Sequence, residues 1–222
     1  MTRLALFDLD HTLLSGDSDE LWCEFLLQHG LLPRAEFEAR NAAMGERYRA
    51  GTVEPAEFCE FYVSTLAGRT PAQWQPWRER FLNEVVAPLI PASANELLDS
   101  HRQCGDTLVL TTATNRFITE PTAQHLGLAH LIATEAQLVD DQFSGRTEHT
   151  LNMREGKVTR LLAWLAAQGL PAEGLADATF YSDSANDLPL LRAVGRPVAV
   201  DPDDALLAVA TASGWPVLRL PR

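Results

Sequence analysis

Four short segments hold the residues of this chain that could do chemistry together. They are Asp8-Leu9-Asp10-His11-Thr12, Thr111-Thr112-Ala113-Thr114-Asn115, Gly156-Lys157 and Ser182-Asp183-Ser184-Ala185-Asn186-Asp187. Asp8 and Asp10 follow the apolar run Leu4-Ala5-Leu6-Phe7. Residues i and i+2 of a strand point the same way, so both carboxylates leave the strand end close together. Like charges at that spacing repel. A hard divalent cation removes the cost, and Mg²⁺ is commonly held by one or two carboxylates, phosphate oxygens and water. Phosphoryl transfer needs a metal, cationic and N–H donors, and a placed nucleophile. Lys157 can offset negative charge, and Thr112 offers a hydroxyl beside a helix N-terminus. Asp183 and Asp187 add carboxylates for the metal and its waters. A carboxylate nucleophile with a second carboxylic acid would split the reaction into two steps. Taken singly, each residue has a plainer role as turn, cap or solvated lysine. Their joint order along the chain argues against four coincidences.

The elements that must position these residues alternate. Leu4–Phe7, 107–112 and 178–182 read as buried strands without period-2 alternation, which fits a parallel sheet covered on both faces. Residues 92–104, 116–127, 155–169 and 188–194 read as helices, 131–134 as a short strand, and 135–149 as a small hairpin or flap. Short strands are expected at 197–200 and 216–218. After the first strand the pattern turns helical, with Asp17 and Glu20 spaced like a capping box. Further helices are expected at roughly 34–50, 55–67 and 71–86, separated by Gly51, Gly68 and Pro71. The result is a βαβ pattern with a helical insertion after its first strand. The expected division is an α/β core over 1–14 and 89–222, with a helical cap over 15–88. The closed end of such a cap excludes water while a leaving group departs.

The chain has 222 residues, 46% hydrophobic and 22% charged, enough for a real core. Its formal net charge of −12 disfavours nucleic acid and anionic membranes as partners. No apolar stretch approaches a membrane span, and Asp8 and Asp10 interrupt the apolar start before a signal-peptide core forms. Cys23, Cys59 and Cys104 are odd in number and widely spaced, so a reducing, cytoplasmic setting is expected, with each thiol a small buried hydrophobe. The six histidines lack metal-ligand spacing, and alternation turns His11 away from Asp8 and Asp10. Arg40, Arg47 and Arg49 could reach a substrate, but such residues more commonly form a solvated helix face.

FDLDHTLL matches a D-x-D-x-T motif, and YSDSANDLPLL matches a G-D-x-x-N-D-L-P pattern. On these residues the chain resembles the haloacid dehalogenase superfamily of phosphohydrolases over essentially its full length, and most closely the phosphoserine phosphatase-like branch. That resemblance implies a doubly wound, Rossmann-like α/β core with a helical cap. It also implies a Mg²⁺-dependent phosphomonoesterase acting on a small phosphorylated metabolite. Asp8 would form an aspartyl-phosphate, and Asp10 would protonate the leaving oxygen and then deprotonate water. Thr112 would bond the phosphoryl oxygens, or Thr111 if the strand ends one residue earlier, and Lys157 would balance charge. Asp8, the carbonyl of Asp10, and Asp183 would hold Mg²⁺. Asp187 would hold a metal-bound water, and Asn186 would touch phosphate or substrate. Ser182 departs from the usual Gly, and Thr112-Ala113 from a common Ser-Gly pair. Asp17 stands where phosphoserine enzymes use a Glu for the substrate ammonium, and it reads equally as a helix N-cap. The D-L-D-H-T-L-L opening is similar to that of histidinol phosphatases, which implies histidinol phosphate first and phosphoserine or a related phospho-amino alcohol second. A metal-independent dehalogenase is disfavoured by Asp10 and the Asp183/Asp187 pair, a phospho-accepting receiver by the cap, and a silent binding protein by intact Asp8 and Asp10.

Overall fold

In a computed structural model of the chain, residues 3–49 and 52–222 are described. Gly51 and the side chain of Arg49 lie outside the described residues. The chain builds one seven-stranded sheet with β1 at its centre. All four residues of β1 (Leu4–Phe7) are buried, as expected of a strand covered on both faces. It pairs in parallel with β2 (Thr107–Asn115) on one side and β5 (Thr179–Ser182) on the other. Beyond β2 lies β3 (His130–Val139), which turns back antiparallel as β4 (Gln142–Glu148). Beyond β5 lie β6 (Arg196–Val200) and β7 (Val217–Leu218), both parallel. The chain therefore winds outward in both directions from β1, which puts the crevice for a ligand at the carboxyl ends of β1, β2 and β5.

Among the described residues five α-helices precede β2: α1 (Ser18–Gln28), α2 (Arg34–Arg49), α3 (Pro55–Val63), α4 (Pro71–Phe81) and α5 (Ala92–Gln103). Asp17 caps α1, and Thr70 with Gln73 forms a full capping box on α4, with Pro71 in its first turn. The helix expected to reach residue 86 leaves α geometry at Phe81 and widens into a π turn over Leu82–Val86. Trp22, Phe25, Trp74 and Phe81 pack together here, and their cluster is continuous with Phe7 and Leu110 of the sheet and with Leu9 just beyond β1. A smaller cluster of Cys23, Phe37, Phe61 and Tyr62 holds α2 and α3 against α1. The insertion leaves and rejoins the sheet at one place, where Ser15 N–H donates to the Leu89 carbonyl at 2.8 Å.

After β2 come α6 (Arg116–His125), α7 (Glu155–Ala167), α8 (Leu188–Ala193) and α9 (Asp204–Ser213). The sequence pattern predicts no element over 201–215. Asp203 caps α9 there, and Gly214 closes it in the left-handed conformation at φ 67°. The short strand expected at 131–134 extends over 130–139 because β4 pairs with its outer half. Cys23 and Cys59 are buried, but Cys104 is exposed at the end of α5, which corrects the expectation for that thiol. No described helix is long and apolar enough to cross a membrane.

Candidate active site

Asp8 follows the last residue of β1, and its N–H donates to the Tyr181 carbonyl of β5 at 3.0 Å. The chain then folds tightly, with the N–H groups of Thr12, Leu13 and Leu14 all donating to the Leu9 carbonyl. His11 sits in the left-handed region at φ 54°. That turn corrects the sequence expectation for His11. Strand alternation stops before Asp10, and the imidazole lines the same cavity as Asp8 and Asp10.

The cavity measures about 230 Å³ and brings three of the four segments to its wall: Asp8, Asp10, Ala113, Thr114, Asp183, Asn186 and Asp187, with Lys157 of the fourth at its floor. Lys157 is buried in the first turn of α7 and donates from Nζ to Asp8 Oδ1 and Asp187 Oδ2, each at 2.7 Å. Gly156 precedes it because a Cβ there would lie 1.9 Å from the Leu151 carbonyl oxygen. Thr12 Oγ1 lies 3.4 Å from Asp8 Oδ2 and 3.2 Å from Asp183 Oδ1, and it accepts the Asp183 N–H at 3.1 Å. Ser182, the departure from Gly, donates to Asp187 Oδ2 at 2.7 Å and accepts the Ser184 N–H.

Asp10 is held between the insertion and β2. Its Oδ1 accepts the Ser18 N–H at 2.7 Å, and its Oδ2 accepts from Thr114 Oγ1 at 3.0 Å and Thr112 Oγ1 at 3.4 Å. The Thr112 hydroxyl thus faces Asp10, while Thr111 Oγ1 accepts from Asn152 Nδ2 at 3.0 Å on the far side. β2 keeps strand geometry to Asn115, with an irregular register against β3 after Thr112, so Ala113 and Thr114 form the wall. Asp17 Oδ1 caps α1 through the Asp19 and Glu20 N–H groups, as its N-cap reading expects, and Asp17 also lines the cavity. Asp19 lines it too, with Oδ2 3.1 Å from Thr114 Oγ1, whose single proton Asp19 and Asp10 share. Arg40 packs over Phe61 and Arg47 pairs with Glu57, and neither lines this cavity.

Ser18, Asp19, Thr114 and Asn152 escaped the sequence reading. Thr114 sat inside a segment already singled out. Asn152 carried no local signal, because its partners Thr111, Thr112 and Ile132 lie on β2 and β3.

Electrostatically the site is short of positive charge. Burial raises the Asp8 carboxyl well above its ordinary value against the pull of Lys157, and Asp187, Asp183 and Asp10 add to the rise. Asp183 is raised to about 6, by burial first and with His11 and Thr12 opposing. Asp17 is raised to about 7 by burial and then by Asp10. Burial works to lower the Lys157 ammonium, but Asp187 and Asp8 overcome it and keep it protonated.

Residues 5–192 match the family of haloacid dehalogenase-like hydrolases. The chain belongs to that family. This hydrolase is 38% identical over 219 residues to the histidinol-phosphatase of Neisseria meningitidis, covering 98% of this chain and 99% of that protein. It is 30% identical over 227 residues to the phosphoserine phosphatase SerB1 of Mycobacterium tuberculosis, covering 98% and 70%. The crystal structure of a Bordetella pertussis protein of unknown function matches it with a TM-score of 0.93 at 43% identity, over 98% of this chain and 99% of that one. A substrate-bound phosphoserine phosphatase matches with a TM-score of 0.68 at 17% identity, over 98% and 93%, a likeness of fold alone. The enzyme class expected from the motifs, a phosphatase, agrees with these relatives.

Proposed function

We propose that this phosphatase is a Mg²⁺-dependent phosphomonoesterase that works through an aspartyl-phosphate on Asp8 and acts on a small phosphorylated amino alcohol, histidinol phosphate first. The observation that carries this reading is the Asp8 carboxylate, buried at the cavity floor with Oδ1 clamped by Lys157 and Oδ2 facing Thr12. Such a carboxylate has a fixed direction and a charge-balanced flank, which suits an in-line nucleophile.

The donor set fits the ion. Asp8 and Asp183 share the Thr12 hydroxyl, and the Asp10 carbonyl belongs to the same turn, so the candidate ligands are all hard oxygens. Among the described residues no three His, Cys, Asp or Glu side chains converge on one metal position. The proposed set would be two carboxylates and a carbonyl, which suits an ion that commonly keeps water and phosphate oxygens among its ligands. When bound, the ion would neutralise the phosphoryl oxygens and relieve the crowding of Asp8 and Asp183. Lys157 holds Asp8 in place and offsets its charge. Asp10, oriented by Ser18 N–H and Thr114, donates a proton to the leaving oxygen and later takes one from water. Thr112 and Thr114 set the direction of that carboxyl, Asp187 steadies Lys157, and Asn186 faces the phosphate.

The substrate reading is supported by what lines the rest of the cavity. Asp17, Asp19 and Phe58 line it, and Asp17 and Phe58 also line an adjoining cavity of about 470 Å³ with Glu20, Glu46, Met44 and Tyr62. Acids beside aromatic rings suit a cationic amine and a flat ring. They disfavour the carboxylate of phosphoserine, which remains the second candidate. Residues 15–88 would act as the cap, with α2 and α3 on their separate small cluster as the part that opens. Phosphate release from histidinol phosphate, phosphoserine, phosphoethanolamine, sugar phosphates and nucleotides, with Mg²⁺ and with EDTA, tests the reading. Metal-dependent release with preference for histidinol phosphate is expected, and no release from any of them overturns it.

A further inference from the structure

Arg154 occupies a backbone conformation that its residue type avoids. It stands at φ 51° and ψ −125° just before α7, where the missing Cβ of glycine would relieve the clash. Burial does not explain this, because Arg154 is exposed. The strain is imposed from both sides. Upstream, Asn152 is buried and pinned to the sheet: its N–H donates to Thr134 Oγ1 at 3.2 Å, and Nδ2 reaches Thr111 Oγ1, the Thr112 carbonyl and the Ile132 carbonyl. Downstream, Lys157 is locked between Asp8 and Asp187. The peptides between must turn sharply, and the turn falls on Arg154, whose carbonyl accepts the Lys157 N–H at 3.1 Å.

A glycine would serve that turn better if the side chain had no task. The Arg154 side chain does have a partner: Nε donates to Asn186 Oδ1 at 3.3 Å. An arginine only donates, so this contact assigns the amide of Asn186, with Oδ1 toward Arg154 and Nδ2 left to donate elsewhere. Asn186 lines the catalytic cavity beside Asp183 and Asp187. Its N–H is already committed to Ser184 Oγ at 3.2 Å, so the backbone is fixed and the amide is the remaining freedom.

We infer that Arg154 is a positioning residue for phosphate recognition: by holding Asn186 Oδ1, it turns the Asn186 amide so that Nδ2 donates into the catalytic cavity toward the phosphoryl oxygens. The inference rests on the phosphomonoesterase reading and adds to it a residue outside the four motif segments. Strain at this position is then maintained because a guanidinium is needed there, and the surrounding anchors keep it in place.

The test is a double-mutant cycle on orthophosphate binding, followed by calorimetry in the presence of Mg²⁺ with the full chain. Arg154→Ala weakens phosphate about tenfold, the size of one lost hydrogen bond to a charged group. Asn186→Ala weakens it at least as much, and the double variant binds no more weakly than Asn186→Ala alone. Arg154→Lys, which keeps a donor, recovers part of the loss. Arg154→Gly binds phosphate as weakly as Arg154→Ala but melts a few degrees higher than the wild type, because it releases the strained turn. Phosphate affinity unchanged in Arg154→Ala, or losses that multiply in the double variant, overturns the inference. Failure of the wild type to hydrolyse any phosphomonoester overturns the parent reading separately and leaves the binding cycle decisive for Arg154.

Discussion

Replacing Lys157 with methionine keeps the length of the side chain and removes its charge. The consequence follows from the geometry. The ammonium lies 2.7 Å from each of two carboxylates, and its side chain is 3% exposed. At an effective dielectric of about 20, each contact is worth about 6 kcal/mol of gross attraction. The desolvation of the ammonium offsets most of that, and truncating one partner of a buried ion pair costs about 3–5 kcal/mol net. The loss has a pH signature. Asp8 already holds its proton longer in the folded chain than in the unfolded one, and without Lys157 it holds it longer still. A carboxyl raised in the folded state makes the unfolding free energy fall as pH rises. The deficit of Lys157→Met relative to the wild type is therefore small near pH 4, where Asp8 keeps its proton, and grows toward pH 8. Urea unfolding in EDTA at three pH values across that range measures it. A deficit below about 1 kcal/mol at pH 8, or one of equal size at every pH, refutes the clamp as an energetic unit.

Asp8→Asn should abolish turnover by more than about a thousandfold while the chain stays folded, since the amide cannot attack phosphorus; single-turnover phosphate release and circular dichroism check both halves. Asp17 is raised to about 7, so wild-type stability should decline as pH rises from the ordinary carboxyl range toward neutrality. Asp17→Asn, which keeps the helix cap, should flatten that decline, as melting temperatures from pH 4 to 8 would report. Trp22→Ala should cost about 3–5 kcal/mol, because it empties a site 1% exposed between Trp74 and Phe81 and leaves Thr65 Oγ1 without its indole donor. A loss under about 1 kcal/mol in chemical denaturation would mean the insertion does not share the core of the sheet.

The sheet was legible because its central strands are short, apolar and followed by charged turns, a pattern that burial on both faces demands. Three of the four polar segments were legible for the same reason, since each interrupts an apolar run where a strand must end, while Gly156-Lys157 opens a helix. Residues 204–213 went unread: their apolar positions are nearly continuous, so no helical period stands out, and only Asp203 and Gly214 mark the ends. His11 breaks the alternation because the strand has already ended and the next three amides, of Thr12, Leu13 and Leu14, turn back to the Leu9 carbonyl. Asn152 and Arg154 had no local signature at all. One is defined by acceptors on distant strands and the other by a backbone angle, and neither is a property of neighbouring residues.

The central place of β1 bears on how the protein is made. Both neighbours of this strand come far later in the chain, and the partners of its catalytic end come later still: Lys157 lies 149 residues beyond Asp8, and Asp183 lies 171 beyond Thr12. At roughly 5–20 residues per second, a ribosome leaves the completed β1 segment without its full set of partners for roughly 10–30 s. For that interval an apolar strand with at least one free edge is exposed, the kind of surface that holdase chaperones bind and that aggregates when they are scarce. Folding of the centre must therefore follow synthesis of its later partners, and a nascent chain stalled before α7 would carry Asp8 without the Lys157 that clamps it.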